Sequence, residues 1–96
     1  MMTFIARMQV KPGKEEEFEQ LARQLTERTL AEEPGVRAYE FFRLPDTERG
    51  YAVFESFEDA AAEEAHRETP HFNELAPSII DCLDGTYVRE FLEHLS

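Results

Sequence analysis

The sequence feature that most constrains the fold is a break between two helical segments at Thr69-Pro70. The Thr hydroxyl can accept a hydrogen bond from a free backbone N–H of the next turn, and Pro fits the first helical position. One helix is therefore expected to end before this dipeptide and another to begin at it. His66 precedes the break and His71 follows it, so the break predicts two imidazole rings at adjoining helix ends.

The two histidines are predicted to differ in protonation. His66 lies near a helix C-terminus, where the helix dipole favours the charged imidazolium, whereas His71 lies in a first turn, where the dipole favours the neutral ring. Such a pair suits proton transfer. A histidine near a helix end often serves only to satisfy backbone groups, and this structural interpretation stays open for each ring.

The histidine spacing does not predict a metal site. Residues on one helical face recur every three or four positions, and a five-residue spacing interrupted by Pro does not meet that condition. The pattern Glu63-x-x-His66 is half of a di-iron motif that needs two copies, and the sequence contains no HExxH. It also lacks a glycine-rich dinucleotide turn and a cysteine cluster. We therefore expect no metal and no cofactor.

Length and charge narrow the class of protein. A chain of 96 residues is expected to form one domain, residues 1–96, with its own core. Its 10 basic and 21 acidic side chains give a net charge of −11, which repels phosphate backbones and anionic lipid surfaces. We therefore expect no nucleic-acid partner and no membrane partner.

The single cysteine and the absence of targeting signals indicate a compartment. Cys82 excludes an intrachain disulfide and has apolar neighbours, which predicts a buried thiol in a reducing environment. No segment resembles a signal peptide or reaches transmembrane length. The expected location is cytoplasmic.

Hydrophobic periodicity predicts the order strand, helix, strand, strand, helix, strand. This order is typical of an α+β, ferredoxin-like βαββαβ fold, an antiparallel sheet with helices on one face. The predicted strands are residues 3–10, 36–44, 51–55 and 86–92, and the predicted helices are residues 14–33, residues 59–67 and a segment after Thr69-Pro70.

Local signals refine the helical part of this prediction. Ser56 to Asp59 has the spacing of a capping box that would open the helix at residue 59. Pro77 is expected to distort or divide the helix that follows the break, because proline lacks a backbone N–H.

Both faces of the predicted sheet are apolar. On the second strand Tyr39 and Phe41 alternate with Ala38 and Phe42, and the third and fourth strands alternate in the same way. Helices can cover only one face, and leaving the other exposed would create an apolar patch that is unusually large for a monomer. We therefore expect a homodimer in which two sheets pack face to face as a dimeric α+β barrel, around an apolar space that admits a flat ligand.

Four stretches, VKPGKEEEFEQL, EEPGVRAYEFFR, YAVFESFEDAAAEEAHRETPHF and a final DG-x-Y strand, occur in this order and span nearly the whole chain. They resemble the antibiotic-biosynthesis monooxygenase family, including its quinol monooxygenase-like members. The most specific element is A-H-x-x-T-P-H-F at residues 65–72. The resemblance implies a dimeric α+β barrel and cofactor-independent oxygenation of phenols, quinols or anthrones. The family also contains haem-degrading proteins, which the lack of Trp disfavours, and isomerases.

The activity that the resemblance implies is base-assisted oxygenation of a small aromatic or hydrophobic ligand. The protein would supply a base, an anion stabiliser and a dry pocket. We predict that His71 is the base and His66 its cationic partner. Core packing remains the alternative for every aromatic residue of the pocket. The predicted wall consists of Tyr39, Phe41, Phe54 and Phe72.

Two other functions remain open at the sequence level. An aromatic pocket binds flat molecules whether or not chemistry follows, so the chain could be a non-catalytic ligand-binding dimer. The same histidines could also serve an isomerase as acid and base. Three arginines at alternating positions are expected either to contact an anionic group of the ligand or to form rim salt bridges: Arg7, Arg37 and Arg89.

Overall fold

The chain folds into a four-stranded antiparallel sheet with three helices on one face, as described by a computed structural model of residues 1–96. The strand order across the sheet is β2-β3-β1-β4. The predicted ferredoxin-like α+β arrangement is therefore confirmed, with its second helical segment divided in two. The elements are β1 (Met2–Gln9), α1 (Glu15–Glu32), β2 (Val36–Arg43), β3 (Gly50–Phe57), α2 (Ala60–His66), α3 (Pro70–Asp81) and β4 (Val88–Leu92).

The register of the sheet decides which side chains face the helices. β1 is central and pairs Phe4 with Glu55 of β3 on one side and with Phe91 of β4 on the other. β2 pairs Tyr39 with the same Glu55. Because successive side chains of a strand point to opposite faces, these four residues share the helix-covered face with every second residue of their strands.

The core lies between that face and helix α1. Phe18, Ala22 and Leu25 of α1 are buried at helical spacing. The ring of Phe18 packs on those of Phe41 and Tyr51, at centroid distances of 5.9 and 4.7 Å. Burying a large apolar side chain stabilises by about 1.5–3 kcal/mol, so this face fixes the position of α1 over the sheet.

The start of α2 differs from the predicted capping box. Asp59 is the N-cap, and its carboxylate accepts a hydrogen bond from the backbone N–H of Ala62 at 2.8 Å. Ser56 is instead a residue of β3 and its hydroxyl contacts that of Thr3 at 2.8 Å. The prediction failed because β3 pairs with both β1 and β2 as far as Phe57, which keeps Ser56 extended.

The break at Thr69-Pro70 is present as predicted. The Thr69 hydroxyl accepts from the backbone N–H of Phe72 at 3.2 Å and donates to the carbonyl of His66 at 2.8 Å. One side chain therefore caps α3 and ties it to the last residue of α2. Pro70 is the first residue of α3.

Pro77 does not divide α3, which runs unbroken for 12 residues. Leu75 and Ala76 before the proline and Ile79 after it are all buried. Their packing outweighs the single backbone hydrogen bond that a proline removes. None of the helices combines the length and apolar character that a membrane span requires.

The end of α3 is joined to the end of β1 by backbone hydrogen bonds. The Lys11 N–H donates to the Cys82 carbonyl at 2.8 Å, and the Asp84 N–H donates to the Gln9 carbonyl at 2.7 Å. The Cys82 side chain is 1% exposed, which confirms the predicted buried thiol, and burial raises its pKa. β4 begins only at Val88, two residues later than predicted, after a turn in which Gly85 has φ +96°.

The second face of the sheet carries no helix, and we call it the open face. Its apolar side chains include Phe42, Val88 and Leu92, which are 44, 73 and 43% exposed. Ile5 and Phe54 lie on the same face and are half-buried. Both faces of the sheet therefore present apolar residues, as the alternation predicted.

Candidate functional site

An apolar cavity lies between the inward face of the sheet and the helices. Its volume is about 80 Å³, and 13 of its 18 lining residues are hydrophobic. Met8 of β1, Leu25 of α1 and Ile79 of α3 are among the apolar ones. The charged or titratable lining residues are Tyr39, Glu55, Glu63, His66, Arg67, Tyr87 and Arg89.

A buried cluster of one carboxylate and two imidazoles adjoins this cavity. Glu33 Oε2 lies 2.9 Å from His66 Nδ1 and 2.5 Å from His71 Nε2. The two histidine side chains are 2% exposed and that of Glu33 is 11% exposed. One carboxylate therefore joins the end of α1 to the end of α2 and the start of α3.

The chain direction after α1 places Glu33 in this cluster. Glu33 is the C-cap of α1 and is extended, at φ −115° and ψ 99°, as expected for a residue before proline. Gly35 then lets α2 approach, because a Cβ atom at Gly35 would lie 2.9 Å from the Cβ of Ala62. Contact at that point brings the His66 turn of α2 against the end of α1.

The contact with Glu33 determines which nitrogen of His66 is free. A carboxylate accepts hydrogen bonds, so Nδ1 carries a proton and Nε2 of the neutral ring keeps a lone pair. Nε2 is buried and has no hydrogen-bond partner within the chain. The ring is held by aromatic neighbours: its centroid lies 5.1 Å from Tyr39, 5.5 Å from Phe57 and 5.1 Å from Phe72. His66 is thus an oriented hydrogen-bond acceptor at the cavity wall.

His71 is in the cluster but not in the cavity wall. Its Nε2 donates to Glu33, and its buried Nδ1 has no hydrogen-bond partner, with the nearest carboxylate oxygen, of Glu32, at 4.0 Å. His71 therefore holds the same carboxylate oxygen of Glu33 that contacts His66. This placement differs from the predicted role of His71 as the residue that meets the ligand.

The histidine spacing led us to expect no metal site, because the two rings do not share one helical face. Ligand-capable atoms of Glu33, His66 and His71 all lie within 4.8 Å of one another. Two imidazoles and a carboxylate are a donor set that can hold zinc or iron. That expectation considered a single helical face, whereas the rings come from two helices that turn toward a third. In this structure both imidazole rings hydrogen-bond to the Glu33 carboxylate.

Three of the four predicted wall residues line the cavity. Tyr39, Phe41 and Phe72 do so, and Phe54 does not. Phe54 lies on the open face, because Val53 and Glu55 of β3 point inward. The sequence placed Phe54 and Tyr39 on the sheet correctly but gave no register between the strands.

Of the three arginines, only Arg89 lines the cavity. Its guanidinium lies 3.6 Å from a carboxylate oxygen of Glu63 and 4.7 Å from the ring centroid of Phe4. Arg7 forms an exposed pair with Glu90 at 3.8 Å, which is the rim salt bridge that the sequence left open. Arg37 is exposed at a register shift in β2.

Sequence reasoning missed three acidic residues of the site. Glu33 precedes Pro-Gly. Glu63 precedes Arg67 by one helical turn, and this spacing predicts the bidentate salt bridge that Arg67 forms with Glu63, at 2.8 and 3.0 Å. Glu55 gave no signal. Burial raises the pKa of Glu55 to about 8 and also raises the pKa of the Tyr39 phenol.

The fold and the site together define a small α+β protein that presents acid-base groups at the wall of an apolar cavity. The model of the family described as antibiotic biosynthesis monooxygenase matches residues 1–77, which include every strand except β4. A protein of Bacillus subtilis (strain 168) named "Putative monooxygenase YcnE" is 38% identical over 72 residues, which are 75% of each chain. The chain therefore belongs to the antibiotic biosynthesis monooxygenase family.

Solved structures agree with this assignment. A conserved protein from Methanosarcina mazei Go1 is 28% identical with a TM-score of 0.87, over 95% of this chain and 89% of its own. A structure titled as a putative antibiotic biosynthesis monooxygenase from Caulobacter crescentus CB15 is 27% identical with a TM-score of 0.92, over 99% of this chain and 90% of its own. The whole chain, including β4, thus follows the fold of these relatives.

Proposed function

We propose that the protein is a cofactor-independent monooxygenase that oxidises a small aromatic phenol or quinol with dioxygen. The observation that carries the proposal is the fixed ring of His66, which lines an apolar cavity, is hydrogen-bonded to Glu33 through Nδ1 and keeps a buried Nε2 without a partner. Family membership and the name of the Bacillus relative support the reaction class.

In this proposal His66 is the base and His71 a positioning residue. Nε2 of His66 takes the proton of the substrate hydroxyl, and Glu33 stabilises the imidazolium that results. His71 hydrogen-bonds the same carboxylate and limits its movement. The roles are thus the reverse of those predicted from the helix ends, because only His66 lines the cavity.

The substrate supplies all the electrons for the reaction. After deprotonation, the electron-rich phenolate passes one electron to dioxygen, and the substrate radical and superoxide combine into a peroxide. Loss of water then leaves a carbonyl on the oxidised carbon, so one oxygen atom enters the product and the other leaves as water. For a quinol the balance is quinol plus dioxygen to hydroxyquinone plus water.

The other cavity groups suit this chemistry. Arg89 places a positive charge at the cavity, where a phenolate would develop. The predominantly apolar lining strengthens this attraction and keeps water from reactive intermediates.

Oxygen uptake tests the proposal directly. The purified protein is mixed with a panel of hydroquinones, anthrones and simple phenols in an oxygen electrode, and products are identified by mass spectrometry with labelled dioxygen. We expect uptake with at least one member and one labelled oxygen atom in the product. Conversion without oxygen would indicate an isomerase instead, and binding without turnover would indicate a ligand-binding protein.

A second copy of the chain is the proposed cover for the open face. The exposed side chains Phe42, Val88 and Leu92 lie there with charges of both signs, from Arg7 and Glu90. An interface between identical faces must be complementary to itself, and a face with both signs of charge satisfies this condition. The dimer would be formed by sheet-on-sheet packing, with each cavity on the helix side of its own chain.

A further inference from the structure

Glu55 is an acidic side chain at the apolar cavity that the proposed base does not use. It lies on the inward face of β3, directly opposite Phe4 of β1 and Tyr39 of β2. Like His66, it lines the cavity. No hydrogen bond or salt bridge acts on its carboxyl group, which is affected only by burial and by more distant charges. Burying an ionised carboxylate without a partner costs free energy, so such a group is stable only when it is protonated or bound to a ligand.

The charges around Glu55 favour its neutral form. Arg89 faces it from β4, Glu63 from α2 and Glu33 from the end of α1. Burial raises the pKa of Glu55 to about 8, the two glutamates act in the same direction, and Arg89 opposes them. Arg89 is already within 3.6 Å of Glu63. At neutral pH the carboxyl group therefore carries its proton and is a hydrogen-bond donor.

Tyr39 is the common neighbour of Glu55 and His66. The Tyr39 ring centroid lies 5.1 Å from that of His66, and Tyr39 is the cross-strand partner of Glu55. Side chains directly opposite each other on paired strands have Cβ atoms about 4.5–5.5 Å apart. His66 and Glu55 are thus both neighbours of one tyrosine side chain and both line the same cavity.

The size of the cavity sets a second limit on the ligand. Its volume of about 80 Å³ is smaller than the roughly 150 Å³ of an engineered protein cavity that binds benzene. This volume favours a single ring, seated after small movements of the lining side chains, over a fused ring system.

We propose that the Glu55 carboxyl group binds a second oxygen atom of the ligand by hydrogen bonding and thereby selects uncharged, monocyclic compounds with two oxygen substituents. This inference rests on the proposed function for the placement of the first oxygen at His66. A ligand with a carboxylate in the second position is disfavoured, because its charge would lie beside Glu55 and Glu63.

Two matched phenols test the inference without turnover. 4-Methoxyphenol and 4-ethylphenol have nearly the same shape and differ by one ether oxygen in place of a methylene group. We expect wild type, titrated anaerobically by calorimetry at pH 6.5, to bind 4-methoxyphenol about two- to tenfold more tightly, the factor expected for one neutral hydrogen bond. This preference should decline as the pH rises through about 8, because deprotonated Glu55 can no longer donate.

Three variants assign the effect to Glu55. Glu55→Gln keeps a donor, so the preference should persist and become independent of pH, whereas Glu55→Leu should lose it. Glu64→Gln, a change at an exposed residue of α2, should behave as wild type. Thermal unfolding of each variant verifies that the protein titrated is folded.

The outcomes separate this inference from the proposed function. Equal binding of the two phenols by wild type, or a preference that survives in Glu55→Leu, overturns the inference alone if oxygen uptake is intact. A Glu55-dependent preference without oxygen uptake by any substrate overturns the function and leaves the inference as a property of a binding protein. If wild type binds neither phenol, the inference fails, and oxygen uptake with the wider panel decides the proposed function separately.

Discussion

At the residue scale, the site depends on a single carboxylate. Glu33 accepts a hydrogen bond from each histidine and so determines which nitrogen of each ring is protonated. His66 lines the cavity and His71 does not, and each ring keeps one buried nitrogen without a hydrogen-bond partner. The two histidines therefore share one carboxylate but differ in their relation to the cavity.

Substitution of the histidines should separate these roles. Removal of a general base typically costs about 10²–10⁴-fold in rate, so His66→Gln should lower kcat by this factor while the free energy of unfolding changes within the usual 0.5–3 kcal/mol or so. His71→Gln can still donate to Glu33 and should lower kcat much less. His94→Ala, on the open face beside Thr3, is the control for loss of a histidine. Equal turnover by all three variants would contradict the catalytic assignment.

Glu55 should make the stability of the protein depend on pH. Its pKa is raised in the folded state to about 8, so between about pH 5 and 8 the folded state binds more protons than the unfolded state. The free energy of unfolding should then fall as pH rises, by up to about 1.4 kcal/mol per pH unit. Denaturant unfolding of wild type and Glu55→Gln across this range measures the slope. The free energy of unfolding should fall more steeply with pH in wild type than in Glu55→Gln. Identical slopes would mean that Glu55 is already ionised in the folded protein.

At the element scale, close approach of α2 to the turn after α1 holds the cluster together. The contact depends on Gly35, where an added Cβ atom would meet Ala62 at 2.9 Å. Both are Cβ atoms, which are bonded directly to the backbone, so side-chain rotation cannot separate them. The histidine site is therefore sensitive to a glycine that touches none of its members.

Gly35→Ala is predicted to displace α2. We expect a loss of about 1–3 kcal/mol in the free energy of unfolding, from overpacking, together with lower turnover because His66 moves relative to Glu33. The double variant Gly35→Ala, Ala62→Gly removes the opposing Cβ and should recover much of both losses relative to Ala62→Gly alone. Chemical denaturation and kcat measurements on all three variants check this. Additive losses in the double variant would show that the clash is not the cause.

The sequence predicted the elements well and their contacts poorly. The break at Thr69-Pro70 was readable because a side-chain cap and a proline act locally. The meeting of Glu33 with His66 was not readable, because it depends on how α1 and α2 pack on the same sheet. Ser56 was misread as a cap for the same reason: strand pairing with β1 and β2 decided its conformation.

At the scale of the whole molecule, the two faces of the sheet have different consequences for substitution. Phe41 packs inside against Phe18 and Tyr39, each at 5.9 Å between ring centroids. Phe42, the next residue, is 44% exposed on the open face. A charge at one position disturbs the core, and a charge at the other disturbs the proposed dimer.

This pair of neighbours gives a test of assembly. Phe42→Asp should convert a dimer into a folded monomer, because the charge is placed in the interface and not in the core. Phe41→Asp should instead destabilise the fold, since it removes a partly buried ring from the core and places a charge there. Analytical ultracentrifugation and circular dichroism distinguish the two results. A wild-type protein that sediments as a folded monomer at micromolar concentration would contradict the dimer proposal.

Cys82 provides an internal probe of motion. The thiol is 1% exposed, beside the backbone bonds that join α3 to β1, and it is the only cysteine. A thiol reagent can reach it only when that joint opens, so the labelling rate in the native protein reports how often α3 separates from the sheet. If a ligand can enter the cavity only when α3 moves away from the sheet, a bound phenol should slow the labelling of Cys82 in proportion to the fraction of protein that is bound. In that case the labelling rate of Cys82 also measures how often the binding site opens.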